Sequence, residues 1–292
     1  MTGVAVDKTT SHGNWTWEQT IRWLRAQPDQ AALIESGYFD DPIEAAALRY
    51  WQSAEWRAIS EFLPRLSNGR ALDFGAGRGI ASYALARSGF DVDALEANGS
   101  ALVGAGAIEA LAHQTGFRIR VHESTSDRLP FPDASFDLVF GRAVLHHVSD
   151  VAETCSELLR VLRPGGTLIA IREHVISRAG DLEAFRESHP LHKYYGGETA
   201  YTLDTYLNAL RQAGFRLKRL LLPLRSDINI YPYSLGELQS ELARRASRGS
   251  GTIQYLLRQA MRNGACWQVM LRALELIDNR PGRLYSFVAR KP

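Results

Sequence analysis

The chain has 292 residues, of which 45% are hydrophobic and 23% charged, as is typical of a globular protein with a sizeable core. Its 34 lysines and arginines nearly balance its 32 aspartates and glutamates, so bulk charge argues neither for nor against nucleic acid. Two cysteines exclude a disulfide framework, and no apolar run approaches the ~20 residues that span a bilayer, so we expect a cytoplasmic protein without a transmembrane segment.

The N-terminal part predicts a helical prefix. Residues 1–14 are polar, and apolar residues at helical spacing then predict helices over 15–25 and 44–63. This region is rich in aromatic side chains: Trp15, Trp17, Trp23, Tyr38, Phe39, Tyr50, Trp51 and Trp56. They either pack the prefix onto the core or form a lid over a ligand, and the two interpretations are compatible.

Strands and helices alternate in the middle of the chain. The predicted strands are 71–74, 91–95, 118–122, 136–140, 167–171 and 215–224, and the predicted helices are 80–88, 100–115, 152–162 and 202–213. Such alternation predicts a mostly parallel sheet with helices on both faces. After residue 227 three helices follow, at 235–245, 253–261 and 267–277, before a last strand at 283–289. We therefore divide the chain into a prefix or lid (1–66), a core (67–228 and 282–292) and a helical insertion (229–281).

A glycine turn follows the first strand. Residues 70–82, RALDFGAGRGIAS, place glycines at 75, 77 and 79, where the backbone can adopt positive φ and a ligand can approach it closely. Glu96 ends the next strand, 17 residues after Gly79, which suits a carboxylate that binds ribose hydroxyls; a solvated strand-end acid is the alternative. Ile80 replaces the third glycine of the dinucleotide fingerprint, which argues against NAD, and no phosphate-loop motif is present.

Four ordered segments carry a family resemblance: LDFGAGRG, LEAN, DRLPFPDASFDLVFGRAVLHHV and LLRVLRPGGTLIA. Through them the chain resembles class I S-adenosylmethionine-dependent methyltransferases with a type 11-like core, over about residues 50–224 and the last strand. The resemblance implies an α/β fold with a Rossmann-like, doubly wound, seven-stranded sheet, mostly parallel, whose last strand is antiparallel. It also implies S-adenosyl-L-methionine as cofactor and S-adenosyl-L-homocysteine as product.

The resemblance also implies a cofactor site. The residues from Asp73 through Gly75, Ala76 and Gly77 to Gly79 would line the methionine part of the cofactor, Glu96 would bind the ribose, and Ala97 would lie beside the adenine. Relatives usually have Asp-Ala where this chain has Thr125 and Ser126, so the adenine amine would be bound by Thr125, by Asp127 or by backbone, with Ser126 in the same cofactor site. Gly141 and Arg142 would lie beside the sulfonium, with Arg142 either on the cofactor carboxylate or in a structural ion pair.

Two histidine groups compete for the role of base. His146 and His147 follow the fourth strand, and His174 ends the fifth. The loop HPLHKYYGGETAY, 189–201, adds candidates for binding the acceptor, namely His189, Tyr194, Tyr195 and Glu198, and a further base candidate, His192. We rank His174 first as the base, then His192 and His147. The alternative to a role in binding the acceptor is a polar loop that its own tyrosines hold in place. A metal site formed by Glu173, His174, His189 and His192 is disfavoured.

The insertion is basic. From Leu242 to Leu274 the sequence has six arginines and no acid. This predicts either a solvated basic face or a wall that selects an anionic acceptor. No nucleic-acid-binding module is recognised, so nucleic acid is not an expected partner.

Together these features predict O-methylation of a sugar, a glycan or another small hydroxylated metabolite, with a histidine as general base. N- or C-methylation of a natural-product intermediate is the alternative within enzymes, and a cofactor-binding regulatory protein without turnover is the alternative outside them. Whether the chain forms a homo-oligomer stays open.

Overall fold

The protein is described from a computed structural model that covers residues 15–66, 68–125, 128–188, 191–192, 194–195, 199–278 and 280–292. Its strands are β1 Arg70–Phe74, β2 Asp91–Glu96, β3 Ile119–Glu123, β4 Phe136–Arg142, β5 Leu162–Ile176, β6 Tyr201–Thr202, β7 Arg216–Leu221 and β8 Gly282–Arg290. They form one sheet in the order β3-β2-β1-β4-β5-β8-β7, with the short β6 paired to β5 beside this path.

The pairing confirms the predicted fold class. β1 pairs in parallel with β2 and β4, β2 with β3, and β4 with β5, whereas β8 runs antiparallel to both β5 and β7. The two-residue β6 was not predicted, because a segment that short has no readable alternation. The central strands are buried on both faces, which requires helices on both sides of the sheet.

The α-helices are α1 Trp17–Arg25, α2 Ala31–Ser36, α3 Ile43–Gln52, α4 Ala54–Ser60, α5 Ile80–Arg87, α6 Ala105–Thr115, α7 Val151–Val161, α8 Leu182–Ser188, α9 Leu203–Ala213, α10 Asp227–Ile230, α11 Leu235–Ala246, α12 Gly251–Arg262 and α13 Gly264–Ile277. One face of the sheet is covered by α3 to α6, and the other by α7 and α9. None of the helices that the structure describes is both long and apolar enough to cross a membrane.

Two predicted helices were wrong in their bounds. The stretch 44–63 is divided at Ser53, whose side chain accepts from the Trp56 amide and begins α4. Serine in this position competes with helix continuation because its hydroxyl satisfies a backbone donor. The stretch 100–115 becomes helical only at Ala105, because the Asn98 and Ser100 side chains accept from the Ser100 and Leu102 amides and hold a turn before it.

The start of the insertion is fastened to the core near the end of β5. The Arg172 guanidinium donates to the Ile228 carbonyl across 2.8 Å, and its backbone amide donates to the Ser286 hydroxyl across 3.0 Å. The Ser286 hydroxyl in turn donates to the Asn229 side chain across 2.6 Å. The short helix α10 is thus held against β5 and β8 before α11 to α13 leave the sheet.

Candidate active site

The glycine turn lies at the carboxyl edge of β1, where it is tied to β2. The backbone amides of Gly75 and Ala76 both donate to the Leu95 carbonyl, across 2.9 and 3.0 Å. Gly77 has a left-handed φ of +55°, and a side-chain carbon built there meets nothing within 4 Å. The turn therefore has open space directly beside its backbone, which is the condition for close approach of a ligand.

Glu96 faces this turn. Its carboxylate accepts from the Gly77 amide across 2.7 Å and from the Asn98 amide across 3.0 Å. Burial raises the pKa of Glu96, although these backbone donors act in the opposite direction. A carboxylate has about four acceptor positions, so Glu96 retains capacity for a pair of ligand hydroxyls.

Asp73 lies beneath the turn. It is 1% exposed and accepts from the Ser82 hydroxyl of α5 across 2.5 Å. Burial raises the pKa of Asp73 to about 7, and the nearby charge of Glu96 acts in the same direction. Asp73 therefore connects β1 to α5, and direct contact with the cofactor stays a prediction.

Arg142 ends β4 in an ion pair with the prefix. Its Nε and Nη2 atoms lie 2.8 and 3.1 Å from the two carboxylate oxygens of Glu55 on α4, and Glu55 is fully buried. The guanidinium lies 5.6 Å from the ring centres of both Tyr38 and Tyr50. Arg142 is thus in a structural ion pair, which was one of the two roles that the sequence allowed for it. Sequence reasoning missed Glu55, because its partner lies 87 residues away and no local pattern encodes the contact.

The carboxyl end of β5 carries a buried acid. Glu173 is 0% exposed and accepts from the backbone amides of Val144 and His146, each across 3.2 Å. Its Oε2 atom also lies 2.8 Å from His146 Nδ1. Burial raises the pKa of Glu173 to about 7 and lowers the pKa of His146 well below its ordinary value. The pair thus joins the end of β5 to the loop after β4.

The three predicted base candidates lie around this pair. The ring of His146 has its centre 4.1 Å from that of His147 and 4.6 Å from that of His174. The His174 ring lies 5.3 Å from that of His192, and Phe185 packs against both at 5.0 and 4.9 Å. His147 is exposed, His174 half-buried and His192 buried. Within the described ranges, no three His, Cys, Asp or Glu side chains are grouped so that they could hold a metal ion.

The histidine-rich loop packs against the prefix. Tyr194 stacks on Trp15 at a centroid distance of 5.0 Å and lies 4.6 Å from Trp23. Tyr195 lies 5.3 Å from Trp17 and 6.0 Å from His147. The prefix aromatics thus divide into two sets, since Tyr50 and Trp56 belong to the main core whereas the early tryptophans cover the loop.

The remaining predicted site residues lie at the margins or beyond the described ranges. Ala97 and Thr125 are exposed just after β2 and β3, and Gly141 is buried in β4. Four of the predicted residues lie outside the described residues, namely Ser126, Asp127, His189 and Glu198. Their roles stay predictions.

Comparison with known proteins finds a methyltransferase domain within this chain. A family model described as a methyltransferase domain matches residues 72–170. The 27-O-demethylrifamycin SV methyltransferase of Amycolatopsis mediterranei is 30% identical over 186 residues, which cover 62% of this chain and 65% of that protein. The O-methyltransferase resE of Aspergillus sclerotiorum is 26% identical over 188 residues, covering 64% of this chain and 70% of that one. The chain thus spans about two thirds of the length of these relatives.

Solved structures share the fold at lower identity. The [4+2]-cyclase SpnF matches with a TM-score of 0.55 and 21% identity, covering 85% of this chain and 82% of its own. The geranyl diphosphate C-methyltransferase of Streptomyces coelicolor A3(2) matches with a TM-score of 0.58 and 14% identity, covering 94% and 97%. These likenesses concern the fold alone. The chain thus carries a methyltransferase domain at residues 72–170, on a fold that it shares with solved methyltransferase structures.

Proposed function

We propose that the chain transfers a methyl group from S-adenosylmethionine to a hydroxyl oxygen of a small natural-product-type acceptor. The observation that carries this proposal is that two groups of residues lie at the same edge of the sheet. An open glycine turn faced by Glu96 lies at β1 and β2, and the histidine cluster lies at the ends of β4 and β5. Ligands of open α/β sheets bind at this edge.

The residues present fit the cofactor. The free space beside Gly77 accommodates a ligand against the backbone, and Glu96 retains acceptor capacity for two ribose hydroxyls. When bound, the cofactor supplies a methyl group on a positively charged sulfur. Ala97, Thr125, Ser126 and Asp127 would surround the adenine, and Gly141 would lie near the sulfur.

Histidine chemistry favours oxygen as the acceptor atom. A hydroxyl loses its proton as its oxygen bonds to the methyl carbon, and an imidazole nitrogen suits that proton near neutral pH. We keep His174 as the first candidate, with His192 and His147 next. Glu173 and His146 would hold the neighbouring rings in place. The names of the two curated relatives also refer to methylation at oxygen.

The parts around the sheet edge would select the acceptor. We propose that the prefix 1–66 acts as a lid and that the insertion 229–281 acts as a cap. His189, Tyr194, Tyr195 and Glu198 would contact the acceptor. The stacking of Tyr194 on Trp15 supports a shared role for the loop and the prefix. The basic insertion supports an acceptor with an anionic group.

Calorimetry with S-adenosylhomocysteine is the first test, and we expect stoichiometric binding. Absence of binding would overturn the proposal. Turnover is then measured with labelled cofactor against matched hydroxyl, amine and carbon-acid acceptors. Methylation of amine or carbon acceptors alone would favour the alternative enzyme class, and binding without turnover would favour a regulatory protein. Full activity after combined replacement of His147, His174 and His192 by alanine would exclude the histidine base.

A further inference from the structure

The helical insertion carries most of the large apolar side chains that the chain exposes. Within the described ranges, seven of the nine exposed large hydrophobic residues lie between positions 233 and 277. They are Tyr233, Ile253, Tyr255, Leu256, Val269, Leu276 and Ile277, with exposed fractions from 48% to 87%. Single exposed apolar residues are ordinary, but a concentration in one segment marks an interaction surface.

These side chains are not needed for the insertion's own packing. Helices α11 to α13 bury a separate cluster formed by Ala243, Met261, Trp267 and Leu271. The buried residues thus account for the contact between the three helices. The exposed set, apart from Tyr233 before α11, lies on α12 and α13, where it is available to a partner.

Arginines lie on the same exposed sides of α12 and α13. On α12, Tyr255, Arg258 and Arg262 follow at intervals of three and four residues, which places them on one side of the helix. On α13, Val269, Arg272 and Leu276 repeat the same spacing. All six of these side chains are exposed. Apolar groups beside long cationic side chains are the combination that suits a lipid–water interface.

The charged residues within the helical insertion are mostly positive. Residues 242–274 contain six arginines and no acid. Of the flanking acids, Glu241 binds Arg244 and Arg245, and Glu275 binds Arg225. Neither acid forms an ion pair with the arginines of α12 and α13 among the described contacts. The outer sides of these helices therefore present positive charge together with apolar surface.

We propose that the exposed sides of α12 and α13, here called the insertion surface, dock on an anionic lipid bilayer. The apolar side chains would enter the interface while the arginines contact lipid phosphates. A second copy of the chain is a poorer occupant. In a two-fold dimer the same patch faces itself, so arginines would meet arginines. The proposal does not depend on the identity of the methyl acceptor.

Flotation of the full chain with lipid vesicles tests this. We expect binding to vesicles of phosphatidylcholine mixed with phosphatidylglycerol, little binding to phosphatidylcholine alone, and loss of binding as salt is added. Combined Arg262→Gln and Arg272→Gln substitutions should weaken binding by about tenfold or more, since each arginine near an anionic surface contributes substantially. Combined Tyr255→Ser and Leu256→Ser substitutions should weaken it as well.

Matched controls lie elsewhere on the surface. Leu66→Ser removes an exposed apolar side chain outside the insertion, and Arg211→Gln removes an exposed arginine on α9, so both should bind vesicles like the wild type. Circular dichroism and thermal unfolding confirm that the variants fold. No binding to anionic vesicles, equal binding to neutral ones, or equal losses in the controls would overturn the proposal. So would a dimer in light scattering that the Tyr255 and Leu256 substitutions dissociate.

Discussion

His146 Nδ1 lies 2.8 Å from Glu173 Oε2, and this buried contact joins the loop after β4 to the end of β5 beneath the exposed His147 and half-buried His174. Because burial lowers the pKa of His146 well below its ordinary value, we expect its ring to be a fixed hydrogen-bonding group rather than a second cation beside its neighbours. The contact therefore positions the rings that we propose for proton transfer.

Glu173→Gln tests this positioning role. The amide retains much of the shape but removes the negative charge that the carboxyl carries above its pKa of about 7, so we expect kcat/KM at about pH 8 to fall by about tenfold to hundredfold with little change in KM for the cofactor. A neighbouring base loses electrostatic support for its protonated form, so the acidic limb of the pH–rate profile should move to lower pH. If the pH–rate profile did not move and kcat/KM fell only in proportion to the fraction of unfolded protein, the role of Glu173 would be purely structural.

Gly77→Ala separates cofactor binding from backbone strain. Alanine at a left-handed φ costs about 1 kcal/mol, and the space beside Gly77 is otherwise free. Gly116→Ala is the matched control, since Gly116 has a φ of +70° and also meets nothing within 4 Å. We expect similar losses in urea unfolding for both variants, but weaker binding of S-adenosylhomocysteine in calorimetry for Gly77→Ala alone. Equal affinities for the two variants would remove the turn from the cofactor site.

Glu55→Gln tests the buried ion pair with Arg142. Because the substitution leaves a largely buried guanidinium without its counter-charge, we expect the free energy of unfolding to fall by about 3 kcal/mol. Replacing both partners, Glu55→Gln with Arg142→Met, should recover part of that loss. A double-mutant cycle from urea unfolding measures the coupling, and a coupling near zero would show that the pair does not act as a unit.

Asp73→Asn tests the pH dependence of stability without cofactor. Burial raises the pKa of Asp73 to about 7, above the ~3.9 of an unfolded chain. The folded protein then retains a proton that the unfolded chain has released, so this contribution is full below the unfolded pKa and is lost as the pH rises towards 7. We expect the wild type to lose about 2 kcal/mol from this group between about pH 5.5 and about pH 8, and Asp73→Asn to lack that loss.

Urea unfolding at both pH values is the measurement for this prediction. Asp91→Asn is the control, because ion pairing with Arg120 lowers the pKa of Asp91 and places its titration outside this window. If Asp73→Asn retained the slope of the wild type, the buried carboxyl would not be its source.

The alternation of strands and helices along the chain and the glycine turn after β1 could be predicted because local patterns encode them, whereas the antiparallel last strand was implied by the family resemblance. β1 and β2 are short segments that combine buried apolar residues with aspartates, and the turn after β1 needs glycine for steric reasons that the sequence displays. The pairing of Arg142 with Glu55 spans 87 residues and depends on how α4 packs against β4, which no local pattern encodes. The contact of Trp15 with Tyr194 is equally non-local, so the sequence indicated both aromatic segments but not that they meet.

The neighbouring positions of β7 and β8 have a consequence for how this chain can change. The two strands are adjacent and antiparallel, with Leu221 opposite Ser286. The segment from α10 to α13 therefore connects two neighbouring antiparallel strands, as the loop of a β-hairpin does. Because the entropy of closing a loop grows only slowly with its length, lengthening this connection costs little free energy of folding. New surfaces can be added or removed there without moving a strand, so partner choice can diverge while the sheet edge that would hold the cofactor stays the same.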